Sequence, residues 1–358
     1  MTNVLDNTDK VYHALARHLD RLPAGFPATP DGVEIRILKR LFTEQEAQIA
    51  THLTMQMEPA RDIADRAGLP PSELEPMLAQ MASKGLIFRK NTSKETLFMA
   101  AQFVVGIWEY HVNDLDEALI RDFNLYAPYL AEQWRNQKTQ QLRVIPISKS
   151  IPNQMQVMPY EHAETIIRQQ SKIVVAPCIC RREHDMSGSG CGKPLEVCLV
   201  FGSGGFYYEK NGLGREITRD EALDLLRQGA EAGLVLQPGN SQKVLNMCMC
   251  CGCCCQVLKN LKTLPQPASV INNSYVAWVD EEACVACGIC AERCPMDAMT
   301  VEETARVDLD RCIGCGVCTL TCEAQAIGLR ANPEQQRWTP PATVFETYLN
   351  IARERGLL

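Results

Sequence analysis

The spacing of apolar and polar positions changes several times along the chain, and each change predicts an element. The stretch FTEQEAQIATHL opens with Thr43 and Glu46 at capping-box spacing, so a helix is expected to start there. The segment that follows, EPARDIADRAGLPPSELEPMLAQMASKGLIFRKNTSKETLFMAA, reads as a helix, a turn at Gly68-Leu69-Pro70, and a second helix capped by Ser72 with Glu75. Two short strands flank KNTSK, with Leu86, Phe88, Leu97 and Met99 on the hairpin. QFVVGIWEYHVNDLDEALIRDFNLYAPYLAEQWRNQ is expected to be helical, followed by a strand-like LRVIPI and a helix near YEHAETIIRQQ. Trp108, Tyr110, Phe123, Tyr126 and Tyr129 are expected in the core. TRDEALDLLRQGAEAGLVLQ predicts an amphipathic helix with Thr218 and Glu221 as its capping box, ended by Gly233 and followed by a strand. The Gly-rich FGSGGFYY is expected to form turns, and TPPATVFETYLNIARERGLL an amphipathic C-terminal helix.

These elements predict an α+β chain in five regions. Residues 1–100 form a helical, winged-helix-like domain, and 101–176 a mostly helical connecting region. Residues 177–265 form a cysteine-rich α/β metal-binding region, 270–330 a dicluster ferredoxin-like domain, and 331–358 a C-terminal helix. The helix–turn–helix–hairpin order resembles winged-helix DNA-binding modules, but the charges argue against that use. Residues 31–100 carry nine Lys/Arg against ten Asp/Glu, and the second helix offers only Gln80 as a base-reading side chain. DNA is therefore not the expected partner, although Arg89, Lys90 and Lys94 make the hairpin modestly basic. The whole chain, with net charge −7 over 358 residues, likewise lacks the basic balance of a nucleic-acid binder.

Cysteine changes the picture most. There are 18 in the chain. The first 20 residues lack a signal-peptide pattern, and no apolar run reaches membrane-spanning length, so a cytoplasmic, reducing location is expected. In that setting clustered thiols point to metal ligands rather than disulfides.

Eight of the cysteines form an internal repeat. CVACGICAERCP places Cys284, Cys287, Cys290 and Cys294 at C-x2-C-x2-C-x3-C-P spacing, and CIGCGVCTLTC repeats it with Cys312, Cys315, Cys318 and Cys322. Three thiolates on a tight loop can hold three irons of one cubane, and the fourth thiolate comes from the other run. One [4Fe-4S] cluster is thus expected on Cys284, Cys287, Cys290 and Cys322, and a second on Cys312, Cys315, Cys318 and Cys294. Gly288, Gly314 and Gly316 let the loops turn close to sulfur. These residues, with the strand-like YVAWVDEEAC and ETARVDLDRC before the runs, resemble the bacterial dicluster ferredoxins. That resemblance implies single-electron transfer. Glu323 stands where that family has proline, a position that ligates nothing. Asp280, Glu281, Glu282, Glu302, Glu303, Asp308 and Asp310 form an acidic rim, which reads either as a solvated surface or as steering toward a basic redox partner.

The other ten cysteines lack ferredoxin spacing. PCICRREHDMSGSGCGKPLEVC supplies Cys178, Cys180, Cys191 and Cys198, and NMCMCCGCCCQ supplies Cys248, Cys250, Cys251, Cys253, Cys254 and Cys255. Adjacent cysteines point in divergent directions, so no single ion can use all six of the second set. The two sets are expected to converge on one or two further centres. Iron–sulfur is the first expectation, with zinc, copper(I) and metal-free redox thiols as alternatives. The spacing leaves the ligand subset open, and His184 is a further candidate ligand. The Cys250–Gly252 triplet is similar to part of the cysteine-rich motif of heterodisulfide reductases, whose remaining spacing is not met.

The whole layout resembles a family of bacterial ferredoxin-like iron–sulfur proteins with a winged-helix-like N-terminal region and a CCGCCC motif. It implies an electron-transfer protein acting as subunit or partner of a larger redox enzyme. A reductase centred on the upstream cysteines, and a redox-sensing regulator using the winged-helix-like unit, are the alternatives.

Overall fold

The computed structural model describes residues 7–150, 157–332 and 338–358. The extreme N-terminus, whose lack of a leader pattern entered the localisation expectation, and parts of the 101–176 and 331–358 regions lie outside these. The chain forms two compact units, and the core of each collects the elements expected from its apolar periodicity. The first contains residues 1–135, 206–213 and 352–358, and the second residues 136–205 and 214–351.

The first unit begins with α1 (Asn7–Asp20), α2 (Val33–Leu41) and α3 (Glu44–Ala50). The Thr43 hydroxyl accepts the Glu46 N–H while the Glu46 carboxylate accepts the Thr43 N–H, so the capping box forms as the sequence indicates. The short strand β1 (Glu58–Pro59) leads into α4 (Ala60–Ala67), which ends on Gly68 at φ 64°. The next helix, α5 (Pro71–Ser83), starts with proline at its first position, so Ser72 lies inside the helix rather than capping it. The hairpin of β2 (Ile87–Asn91) and β3 (Thr96–Ala100) gains β1 as a third strand, in the order β1-β3-β2. Two residues are too few to show an alternating pattern, so β1 was not legible from periodicity.

Residues 101–135 are less continuously helical than their apolar pattern suggests. A three-residue helix α6 (Trp108–Tyr110) precedes α7 (Glu117–Arg135). Trp108 stacks on Phe123 at 3.6 Å, and Tyr126 is buried beside Phe26 and Phe103. Tyr129 differs from expectation and faces solvent. Arg89 is buried and donates to Ala79 O, Ser83 Oγ and Asn211 Oδ1, which removes it from the basic wing.

The second unit is built on a five-stranded antiparallel sheet. The helix α8 (Ala163–Arg168) precedes β4 (Ile173–Pro177), α9 (Ile179–Met186), β5 (Glu196–Phe201), α10 (Gly202–Lys210), whose residues from Phe206 on belong to the first unit, and β6 (Arg215–Glu216). They are followed by α11 (Arg219–Glu231), β7 (Val235–Pro238), β8 (Asn246–Cys250) and α12 (Gln256–Lys262), and the strand order is β6-β4-β5-β8-β7. Thr218 accepts the Glu221 N–H at the start of α11, and Gly233 closes its far end at φ 71°. The Gly-rich 202–210 segment is helical rather than a set of turns, and LRVIPI contributes isolated bridges rather than a strand.

The remaining elements repeat. The strands β9 (Tyr275–Val279) and β12 (Ile327–Ala331) pair around α13 (Ile289–Arg293) and the hairpin of β10 (Met299–Val301) and β11 (Ala305–Val307). The helix α14 (Val344–Glu354) ends the chain's regular structure. Two arginines tie the repeat to the sheet layer. Arg293 donates to Ala230 O and Glu231 O in the last turn of α11, where a cation offsets the helix dipole. Arg311 donates to Lys262 O and Leu264 O past the end of α12, and to Met296 O.

Candidate metal centres

The two ferredoxin runs fold into loops related by the repeat. Ala286 and Gly314 occupy equivalent positions at φ 53° and 65°, as do Gly288 and Gly316 at 79° and 76°. Asp297 and Gln325, three residues after Cys294 and Cys322, both lie at φ 51°. Backbone N–H groups point at sulfur in matching pairs, one pair from strands β9 and β11 and one from the residues just after the left-handed Asp297 and Gln325. Ala277 N–H donates to Cys312 Sγ and Ala305 N–H to Cys284 Sγ, each at 3.3 Å. Ala298 N–H donates to Cys294 Sγ and Ala326 N–H to Cys322 Sγ, each at 3.2 Å.

Two cavities sort the eight cysteines. One is lined by Cys284, Cys287, Cys290 and Cys322. The other is lined by Cys294, Cys312, Cys315 and Cys318. Each therefore brings together three thiols of one run and the last thiol of the other. Burial pushes the thiols of Cys290, Cys312, Cys315 and Cys318 up. Cavities whose burial raises the cost of thiolate while N–H donors point at sulfur fit iron–sulfur clusters, whose iron supplies the missing positive charge. Gly314 is fixed by crowding, because a Cβ there would lie 2.1 Å from Tyr275 O. The equivalent Ala286 keeps a side chain.

The ten upstream cysteines all lie in the second unit. In β8, Met247 and Met249 are buried in the core, so Cys248 and Cys250 point to the opposite face. Cys198 on β5 lies directly across from Cys248. Cys178 and Cys255 occupy the cap positions of α9 and α12. Cys255 is held well below the ordinary thiol value by hydrogen bonds from Cys180 and Cys250, and those two thiols are raised in return. The sulfurs of Cys191, Cys251, Cys253 and Cys254 lie within 4.8 Å of one another, and of these Cys253 is exposed. Four thiols at that separation form a group able to hold a thiophilic ion or cluster.

Both ring nitrogens of His184 have neighbours other than sulfur. Its Nδ1 lies 2.8 Å from Cys180 O and its Nε2 3.2 Å from Lys259 Nζ. Three other residues matter more than spacing indicated. Arg181 is almost fully buried beside the Cys178, Cys250 and Cys251 sulfurs. Gln237 Nε2 donates to Cys255 Sγ at 3.7 Å. Gly252, between Cys251 and Cys253, packs on the residue after Cys294: a Cβ on it would lie 2.7 Å from Pro295 O and 3.0 Å from Pro295 Cα. Its position inside the cysteine run was the only hint in the sequence.

Comparison with known proteins agrees with the repeat. Residues 277–300 match one family model described as a 4Fe-4S binding domain, and residues 304–327 match a second of the same description. No curated protein and no solved structure matches the chain. The chain is thus an iron–sulfur protein with a ferredoxin-like region that binds two [4Fe-4S] clusters. The cysteine group around Cys191 is consistent with a further metal site. Among the described residues no helix is long and apolar enough to cross a membrane.

Proposed function

We propose that the protein passes single electrons through its two [4Fe-4S] clusters and at least one further centre held by the upstream cysteines, as partner or subunit of a larger redox enzyme. The observation that carries this reading is the backbone contact between Gly252 and Pro295. It sets the loop bearing Cys251, Cys253 and Cys254 against the loop bearing Cys294. When bound, the clusters supply reversible one-electron chemistry, tuned by charge, solvent exposure and hydrogen bonds to sulfur. The chain's own residues set those conditions. The four N–H···S bonds stabilise negative charge on sulfur, and the buried Cys312, Cys315 and Cys318 exclude water from one site.

The other site opens outward. Cys287 is exposed, with Val285 71% and Ile289 38% exposed beside it. All seven acidic residues of the expected rim are solvent-exposed. An apolar patch next to a bound cluster, rimmed by carboxylates, suits transient docking of a basic redox protein. In the first unit the order α4, α5, β2, β3 supports a winged-helix-like reading, with the exposed Lys90 and Lys94 as the remaining wing cations. With Arg89 buried, that unit is better suited to protein contacts than to DNA.

Metal analysis of the anaerobically purified full chain tests the proposal. Two [4Fe-4S] clusters account for about eight irons. Iron and acid-labile sulfide beyond that amount are expected. An iron content that stops there, with no zinc or copper, would sink the upstream centre.

A further inference from the structure

The four-thiol group uses Cys191, Cys251, Cys253 and Cys254. Six upstream cysteines remain, and they do not scatter. Cys198 and Cys248 face each other across β5 and β8, and Cys250 follows Cys248 on the same sheet face. Gln237 on β7 lies opposite Cys248 and reaches Cys255. Cys178 directly follows β4, whose Ala176 pairs with Cys198, and caps α9, which carries Cys180 in its first turn. The dense run is thereby divided. Cys248 and Cys250 lie on one sheet face and Cys255 sits at the start of α12 beside Gln237, while Cys251, Cys253 and Cys254 gather with Cys191.

We propose that Cys178, Cys180, Cys198, Cys248, Cys250 and Cys255 hold a second upstream centre, a polynuclear iron–sulfur cluster distinct from whatever the four-thiol group binds. The inference rests on the reading that the upstream cysteines bind metal at all. Three observations carry it further. First, a four-coordinate ion has room for four thiolates, so six thiols gathered in one region call for more than one metal atom. Second, polar groups without partners surround the site. Gln237 is fully buried, and its Oε1 has no hydrogen-bond partner among the described residues. Arg181 is 1% exposed, and its Nε is likewise without a partner.

Third, Arg181 is anchored as a fixed cation between the two thiol groups. Its Nη1 donates to Pro194 O at 2.6 Å and its Nη2 to Met249 O at 2.7 Å. Cys178 and Cys250 of one group and Cys251 of the other lie beside its guanidinium. Burying a guanidinium is costly unless negative charge surrounds it. Two anionic thiolate centres flanking Arg181 supply that charge. Each thiol gives up its proton on metal binding, so the charge balance is that of thiolates against iron and one arginine.

The test compares two paired variants of the full chain, C180S/C250S and C191S/C254S, purified anaerobically. Iron, acid-labile sulfide, zinc and copper are measured per chain, and EPR of the reduced ferredoxin clusters serves as the fold check. C180S/C250S is expected to lose more than one iron together with sulfide, while retaining the metal of the four-thiol group. C191S/C254S should show the reciprocal loss. The single variants Cys198→Ser and Cys253→Ser give the same comparison with less disturbance: each should alter the EPR spectrum of one upstream centre and leave the other. The proposal is overturned if both pairs abolish the same metal, which means one shared centre, or if C180S/C250S loses no iron. If wild-type protein itself holds only the ferredoxin iron and no other metal, the parent reading has failed, and that result is separable from a failed partition.

Discussion

Replacing Gly252 by alanine tests the link between the upstream centre and the ferredoxin-like region. The added Cβ would sit 2.7 Å from Pro295 O, whereas ordinary van der Waals contact begins near 3.4 Å. One of the two backbones must therefore retreat by about 0.7 Å, the difference between those distances. The atoms met are the Pro295 backbone and its ring Cβ, so no side-chain rotation relieves the clash. Forcing a methyl into such a contact costs about 1–3 kcal/mol. For a unit of this size each kcal/mol lowers Tm by roughly 2–4 °C. Anaerobic thermal unfolding followed through cluster absorbance is expected to show that loss, with iron content at purification unchanged. Pulsed EPR on the reduced protein should also show weaker magnetic coupling between the upstream centre and the cluster beside Cys294. A Gly252→Ala protein with wild-type Tm and wild-type coupling would refute the packing argument, because the loops would then have slack the structure does not show.

Gly314→Ala should be far more damaging than Ala286→Gly at the equivalent position, since its Cβ would lie 2.1 Å from Tyr275 O at φ 65°. Loss of about half the ferredoxin iron on purification is the expected readout, with Ala286→Gly close to wild type. Cys322→Ser should perturb the EPR spectrum of the cluster held by Cys284, Cys287 and Cys290. Cys294→Ser should perturb the other, because each cavity is completed by the opposite run. In the first unit, burial lowers the pKa values of His18 and His111 below the ordinary 6.5. The unfolded chain then binds more protons than the folded one between each depressed value and 6.5, so stability falls as pH drops through that window. His111→Gln should flatten this dependence in denaturant titrations at pH 7 and pH 5.5.

Much of this arrangement was readable from residue order because its causes are local. Thr43 with Glu46, and Thr218 before Glu221, start helices through hydrogen bonds spanning three residues. The ferredoxin loops are equally local in spacing, and the structure gathers three thiols of one run and the last of the other around each cavity. Where competing local signals met, the sequence misled. Pro71 at the first helical position of α5 outweighed Ser72 as the start signal, and the Gly-rich 202–210 segment became helix instead of turns.

The division of the ten upstream cysteines was out of reach for a different reason. It depends on which face of β8 carries Met247 and Met249, and on the register that sets Cys198 opposite Cys248. Neither is encoded in the spacing of the cysteines themselves. The buried setting of Arg181 and the contact of Gly252 with Pro295 are likewise tertiary facts.

The central claim is that electrons reach an upstream thiolate centre as well as the two ferredoxin clusters. Coulometric reduction of the anaerobic full chain, followed by EPR, tests it directly. Two [4Fe-4S] clusters take up about two electrons per chain. Uptake beyond that is predicted, with new or broadened signals that are lost or altered in C180S/C250S or in C191S/C254S. Uptake that ends with the ferredoxin clusters, and spectra unchanged in both variants, would contradict it.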